Sequence, residues 1–256
     1  MLLGGPLAAE QLVNVAGVHF PPYVVKPEST PAQGLLPELL EALNQAQGEF
    51  RFVLVPTSVP RRFQDFEKGR LDLAIFENPA WGWQGIPHEA LDMGLEDAEV
   101  FVARVAAGRD QSYFNRLRGK RLALYSGYHY AFADFNSDPE FLKRDFNATL
   151  TYSHDSNLLM VLRKRADIAL ITRSYIGDFL GRHPEYVDQL LVSERIDQLY
   201  RHQVLVRPGS PIKAEQIAVL LDRLRGNGRL AGIFGRYQIA VRPRAADSSA
   251  AAGGGG

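Results

Sequence analysis

The sequence of 256 residues predicts a two-lobed α/β protein, each lobe a mixed sheet flanked by helices, with the chain crossing twice between them. Three observations carry that expectation. A β-α-β-α-β order occupies the first third of the chain, which implies a mostly parallel sheet covered on both faces. The same grammar recurs after residue 120. Two extended stretches, Glu99 to Val105 and Gln203 to Val206, lie where a chain built from two such halves must pass between them, and they place the crossings near residues 97–100 and 197–201.

The elements follow from the pattern. Gln11 to Val18 is a first strand, closed by the turn residues His19-Phe20-Pro21-Pro22-Tyr23. Leu36, Leu39, Leu40 and Leu43 fall at i, i+3, i+4 and i+7, one face of an amphipathic helix, with Pro37 suited to its first turn and Gly48 to its stop. Phe52 to Val55 and Leu71 to Phe76 are short apolar runs of the kind found in strands buried on both faces, with a helix between them from about Pro60 to Gly69. Leu122 to Tyr125 and Ala148 to Tyr152 are further strands, and Asn157 to Lys164 is a helix that leads into Asp167 to Ile171. Ile217, Leu220, Leu221 and Leu224 form a second helical face closed by Gly226-Asn227-Gly228, and Leu230, Ile233 and Phe234 continue a shorter helix. The segments Phe66 to Ile75 and Leu162 to Ile171 match each other: helix end, basic turn, then an Asp opening a buried strand. That correspondence points to two lobes built alike.

Composition narrows the function. Lys+Arg and Asp+Glu balance at 29 each, without the basic excess expected of a nucleic-acid binder. No run approaches the roughly 18 apolar residues of a membrane span. With no cysteine, disulfides, thiolate metal sites and cysteine nucleophiles are excluded. Met1 to Glu10 reads either as the tail of a secretory signal, with Leu7-Ala8-Ala9 as a small-residue cleavage pattern, or as a frayed terminus. Residues 244–256, rich in Ser, Ala and Gly, are expected to be disordered. The six histidines, at 19, 88, 129, 154, 183 and 202, lack metal-ligand spacing, and no phosphate-binding glycine motif or H-E-x-x-H is present.

Four spaced motifs carry a resemblance. Phe20-Pro21-Pro22-Tyr23 follows the first strand; Gly69-Arg70-Leu71-Asp72-Leu73-Ala74 enters another; Leu117-Arg118-Gly119-Lys120-Arg121-Leu122-Ala123 opens the second half; Arg165-Ala166-Asp167-Ile168-Ala169 repeats the Asp-led entry. In this order the chain resembles the type 2 periplasmic solute-binding proteins, specifically the family 3 group that serves polar amino-acid ABC transporters. The resemblance implies a clamp, with lobe 1 formed by residues 10–97 plus 200–243 and lobe 2 by 98–199. It also implies a periplasmic monomer that needs no cofactor, captures a small molecule and hands it to an inner-membrane permease or to a membrane receptor.

In such a clamp the ligand lies at the carboxyl ends of the strands. The resemblance therefore nominates Phe20 and Tyr23 after the first strand, Phe76, Glu77 and Asn78 after the Asp72 strand, Tyr125, Ser126, Tyr128 and His129 in the loop that enters the second lobe's first helix, and Thr172 and Arg173 after the Asp167 strand. Arg61 or Arg62 opens a helix facing the same cleft, with Arg61 the first choice, and Trp81 and Trp83 follow Asn78. Two departures stand out. Amino-acid binders of this group carry an Arg after the Asn78 position for the ligand carboxylate and an Asp at the Thr172 position for its ammonium. Here Pro79-Ala80-Trp81-Gly82-Trp83-Gln84 and Thr172 stand instead. That exchange argues against a standard α-amino acid and for a ring or organic cation between aromatic walls. The alternatives are an enzyme on the same scaffold, dehydratase-like, with Glu77 as its cleft carboxylate beside His129, and a sensor that docks on a receptor.

Overall fold

The computed structural model describes residues 9–243. The readings for the N-terminal signal-like segment and the C-terminal tail, residues 1–8 and 244–256, lie outside them. The strands are β1 (Gln11–Gly17), β2 (Phe50–Pro56), β3 (Leu73–Glu77), β4 (Glu89–Arg104), β5 (Leu122–Tyr125), β6 (Ala148–Thr151), β7 (Ile168–Thr172), β8 (Leu190–Val206) and β9 (Ala240–Val241). The helices are α1 (Leu35–Ala46), α2 (Arg61–Glu67), α3 (Pro139–Phe146), α4 (His154–Leu162), α5 (Arg173–Arg182), α6 (Ala214–Gly226) and α7 (Arg229–Phe234).

The two halves repeat one topology. In the first, β1 lies between β2 and β3, all parallel; in the second, β5 lies between β6 and β7, again parallel. The paired Asp residues give the repeat a physical meaning. Asp72 Oδ2 accepts from the Asn14 N–H at 2.9 Å while the Asp72 N–H donates to Asn14 O at 2.8 Å. Asp167 Oδ2 accepts from the Arg121 N–H at 2.8 Å, and its own N–H returns a bond of 2.8 Å to Arg121 O. Each Asp thus clips the entry of its strand to the neighbouring central strand. Each also holds a guanidinium: Arg207 at 2.8 Å from Asp72 and Arg121 at 2.9 Å from Asp167.

The expected lobes are present, but not as two separate sheets. β4 and β8, 16 and 17 residues long, pair with each other along most of their length. Among the described residues they join both halves into one nine-stranded sheet, in the order β2-β1-β3-β8-β4-β7-β5-β6 with β9 beside β4. Extended crossings already present their backbone groups side by side, and pairing satisfies them. The register shifts between Asp92 and Leu95 and around Glu99 to Val102.

The cores nonetheless divide. Helices α1, α6 and α7 cover β1–β3 through Leu36, Leu39, Leu43, Ile217, Leu221 and Phe234. In the other half, α4 and α5 cover one face through Leu158, Val161, Ile176 and Phe179, and Phe101, Phe114, Leu142 and Leu170 fill the other. α3 and α5, which the sequence pattern does not announce, belong to this half. The loop expected to enter a helix after Tyr125 instead forms a short 3₁₀ turn at Ala131–Ala133, and α3 begins only at Pro139.

Candidate functional site

The strand ends of both halves converge on a cavity lined by Phe20, Arg62, Phe76, Glu77, Trp81, Tyr128, His129 and Tyr200, with His19, Val59 and Gly127 at its margins. Its volume is about 60 Å³, room for about four to six waters at the 10–15 Å³ that one needs.

Backbone geometry at the end of β3 builds one wall. The β3–β8 register slips between Ile75 and Glu77, and Phe76 has φ 64°. A left-handed bulky residue is a strained one. The bulge breaks the strand's alternation, so Ile75, Phe76 and Glu77 all line the cavity. Facing them, Gly127 (φ 83°) brings the β5 loop against Val59, where a Cβ would sit 3.0 Å from a Val59 methyl. A side chain there would be strained by the left-handed backbone and would press on Val59.

The charged groups are spent on each other. Arg62, 4% exposed, sets its Nε 2.8 Å from Glu77 Oε1, and its terminal nitrogens donate to Val59 O at 2.5 Å and Trp81 O at 3.3 Å. The other oxygen of Glu77 accepts from Trp83 Nε1 at 2.8 Å. Burial, with Arg62 beside it, pushes His129 down to about 4, so its ring is neutral at pH 7. The pair and this neutral imidazole leave the cavity without net charge.

The remaining walls are aromatic. Phe20 meets Tyr128 edge to face at 5.3 Å between ring centroids, and Trp81 meets Tyr200 at 5.0 Å. Gln198 ties the halves together beside them, accepting from Trp81 Nε1 at 3.2 Å and donating to His129 O at 2.5 Å. Tyr200 donates its hydroxyl to Glu99, a fully buried carboxyl that burial raises well above its ordinary range.

Of the residues nominated from the sequence, Phe20, Phe76, Glu77, Trp81, Tyr128 and His129 meet here. The others are corrected. Tyr23 is fully buried behind Phe20, with its hydroxyl 2.7 Å from Asp97 Oδ2. Asn78 turns its carbonyl oxygen to the Ala80 N–H at 2.9 Å and so shapes the loop instead. Tyr125 is buried behind Tyr128, stacked at 4.4 Å, and Ser126 bonds through its backbone to Thr151. Thr172 is buried at the end of β7, and Arg173 opens α5 on the exposed side. Arg61 is exposed, because α2 turns Arg62, not its neighbour, onto the face it shares with Phe66. Trp83 packs beneath the cavity against Phe66 at 5.1 Å. Tyr200 went unseen in the sequence, as did the choice of Arg62.

A model of the ABC-transporter phosphonate periplasmic substrate-binding proteins matches residues 28–229. The chain belongs to that family. It is therefore a substrate-binding protein of the ABC-transporter class, and the family is one of binding proteins rather than enzymes. Among solved structures, the ligand-binding core of GluR0 from Nostoc punctiforme, in complex with L-glutamate, is 15% identical, with a TM-score of 0.66 over 88% of this chain and 98% of that one. A histidine kinase sensor domain similar to periplasmic binding proteins is 17% identical, with a TM-score of 0.68 over 92% and 99%. The substrate-binding protein of an amino-acid ABC transporter is 13% identical, with a TM-score of 0.64 over 88% and 98%. At these identities the likeness establishes a common fold, the two-lobed periplasmic-binding-protein clamp. The curated proteins contain no match to this chain. Among the described residues no helix is long and apolar enough to cross a membrane.

Proposed function

We propose that this substrate-binding protein works as a monomer in the periplasm. It closes lobe 1 (10–97 plus 200–243) on lobe 2 (98–199) around a small ring-bearing ligand, delivers that ligand to an inner-membrane permease, and catalyses nothing. The observation that carries the reading is the cavity wall: five aromatic side chains, with the Arg62–Glu77 pair already neutralised. Such a wall holds a ring by area burial and edge or face contacts. It offers no unpaired guanidinium for an α-carboxylate and no unpaired carboxylate for an ammonium. This reading departs from the amino-acid ligands that the family 3 resemblance implies. Glu77, engaged at both oxygens, lacks the freedom expected of a general acid, which disfavours the dehydratase-like alternative. A membrane receptor as partner remains the second reading, supported by the fold shared with a histidine kinase sensor domain.

Phe20 and Tyr128 now touch each other, so a ring enters between them only when the lobes part or Tyr128 swings aside. Calorimetry against aromatic acids, aromatic amines, L-amino acids and methylphosphonate tests the reading. Ring compounds are expected to bind, and free L-amino acids with uncharged aliphatic side chains to show no heat at millimolar concentration. A submicromolar aliphatic amino acid, or methylphosphonate binding while every ring compound fails, overturns the assignment. Phe20→Ala is expected to weaken the ring ligand by about 1–3 kcal/mol through lost burial and ring contact, with the melting temperature nearly unchanged. Full affinity in that variant, with a melting point several degrees lower, identifies Phe20 as a core residue.

A further inference from the structure

Around His19 the cleft opens into a second chamber of about 480 Å³, bounded by the Pro21-Pro22 turn on one side and by the start of α4 and one face of α5 on the other. Its size falls in the range of small-molecule pockets. Asp155 and Asp178 bring carboxylates to its wall, and the rings of Tyr152, Tyr175 and Tyr237 surround them. His154 lines it too, 1% exposed, with its Nδ1 buried and without a hydrogen-bond partner. Burial holds that ring neutral, so with Arg182 counted the chamber carries one net negative charge.

Arg182 is the informative group. Its Nε lies 3.0 Å from Asp178 Oδ2 and its Nη2 3.5 Å from Asp155 Oδ1, and its guanidinium carbon stands 6.0 Å from the Tyr175 ring centroid. These are the contacts a cationic ligand makes: a carboxylate on each side and an aromatic face. The side chain remains about half exposed at 45%, so it is free to withdraw into solvent. Tyr175 donates to Asp155 Oδ1 at 2.7 Å and fixes that carboxylate whether or not Arg182 is there. The N-terminus of α4 would by itself attract an anion, but Asp155 in its first turn already supplies one.

We propose that this chamber is a binding site for an organic cation, an ammonium or guanidinium on a short carbon chain, whose place Arg182 occupies in the unliganded protein. Binding then displaces Arg182 from Asp155 and Asp178.

Agmatine, which carries a guanidinium and an ammonium, is the probe, titrated into the intact chain by calorimetry. The unmodified protein is expected to bind it in the millimolar range. Arg182→Ala, which removes the internal competitor, is expected to bind at least tenfold tighter. Asp155→Asn with Asp178→Asn is expected to abolish binding; both side chains are partly exposed, and Asp178→Asn alone, at least fivefold weaker, serves if the double variant unfolds. Phe20→Ala, which damages only the aromatic cavity, should stay within twofold. Unchanged or weaker binding in Arg182→Ala overturns the proposal, as does binding that survives the Asp replacements. Loss in Phe20→Ala equal to that in the Asp variant places agmatine in the aromatic cavity instead, and methylphosphonate binding tighter in the Asp variant makes the chamber an anion site.

Discussion

Arg62→Met is expected to cost about 3–5 kcal/mol of stability, because removing one member of a buried ion pair leaves the other charge uncompensated. In a chain of this size that corresponds to a fall in melting temperature of roughly 6–20 °C. Glu77 would stay buried, with only the Trp83 N–H at 2.8 Å to satisfy it. Arg62→Met with Glu77→Gln is expected to recover most of the loss, since the amide keeps an oxygen for Trp83 and buries no charge. Thermal melts of the two variants decide the matter. If the double variant is no more stable than Arg62→Met, the cost comes from the lost Arg62 bonds to Val59 and Trp81 and from packing, and the pair is not what orders this wall.

The second large effect depends on pH. His154 and His202 are 1% and 0% exposed, and burial pushes both down to about 3. The folded chain keeps them neutral, whereas the unfolded chain protonates each near 6.5. The unfolded state therefore binds more protons as pH falls, and stability is lost with it. The stabilisation is fully present above 6.5 and drains away towards 3. Between pH 7 and pH 5 each histidine removes about 2 kcal/mol, about 4 kcal/mol together. Glu99 titrates in the opposite sense: burial raises its folded-state value, so it costs stability as pH rises. The histidine effect is thus read as a difference in denaturant stability between the unmodified chain and His154→Asn with His202→Asn. Whatever the offset between the two proteins, it is expected to change by about 4 kcal/mol in favour of the variant from pH 7 to pH 5. A constant offset means that the rings are wet enough to titrate normally.

The fold was largely legible because its signals are local. Apolar runs and four-residue periodicity placed α1, α6 and every strand from β1 to β3, and the doubled Asp entries announced the repeat before the Asn14 and Arg121 clips gave it a cause. What escaped depends on partners distant in sequence. The continuous sheet arises from β4 pairing with β8, about a hundred residues apart, which no local pattern encodes. Residues that simply follow a strand, such as Phe20, Glu77 and Tyr128, do reach the cavity lining, whereas Arg61 does not, because helical phase decides there. Arg62 and Phe66, four apart, share the inward face of α2, and that spacing was the available clue against Arg61. Tyr200 was hidden by an inverted alternation: Gln198, Tyr200 and His202 face inward while Leu199 is 38% exposed. Polar residues turn inward there because the interior of the hinge is itself hydrogen-bonded, from His202 through Tyr23 to Asp97 and Ser174.

That bonded chain, lying beside a ribbon of two long paired strands, sets the mechanics of the clamp. Two slack tethers would let the lobes swing in any direction, whereas a hydrogen-bonded ribbon resists shear and sideways bending and yields mainly by twisting about its own length. Its register slips lie beside Asp92 and Glu99, and the Tyr23–Asp97–Ser174 hydrogen bonds lie at its middle. Closure about such a ribbon is accordingly expected to be a wringing motion. A ligand is then expected to select a position along one screw-like path rather than among many half-closed arrangements.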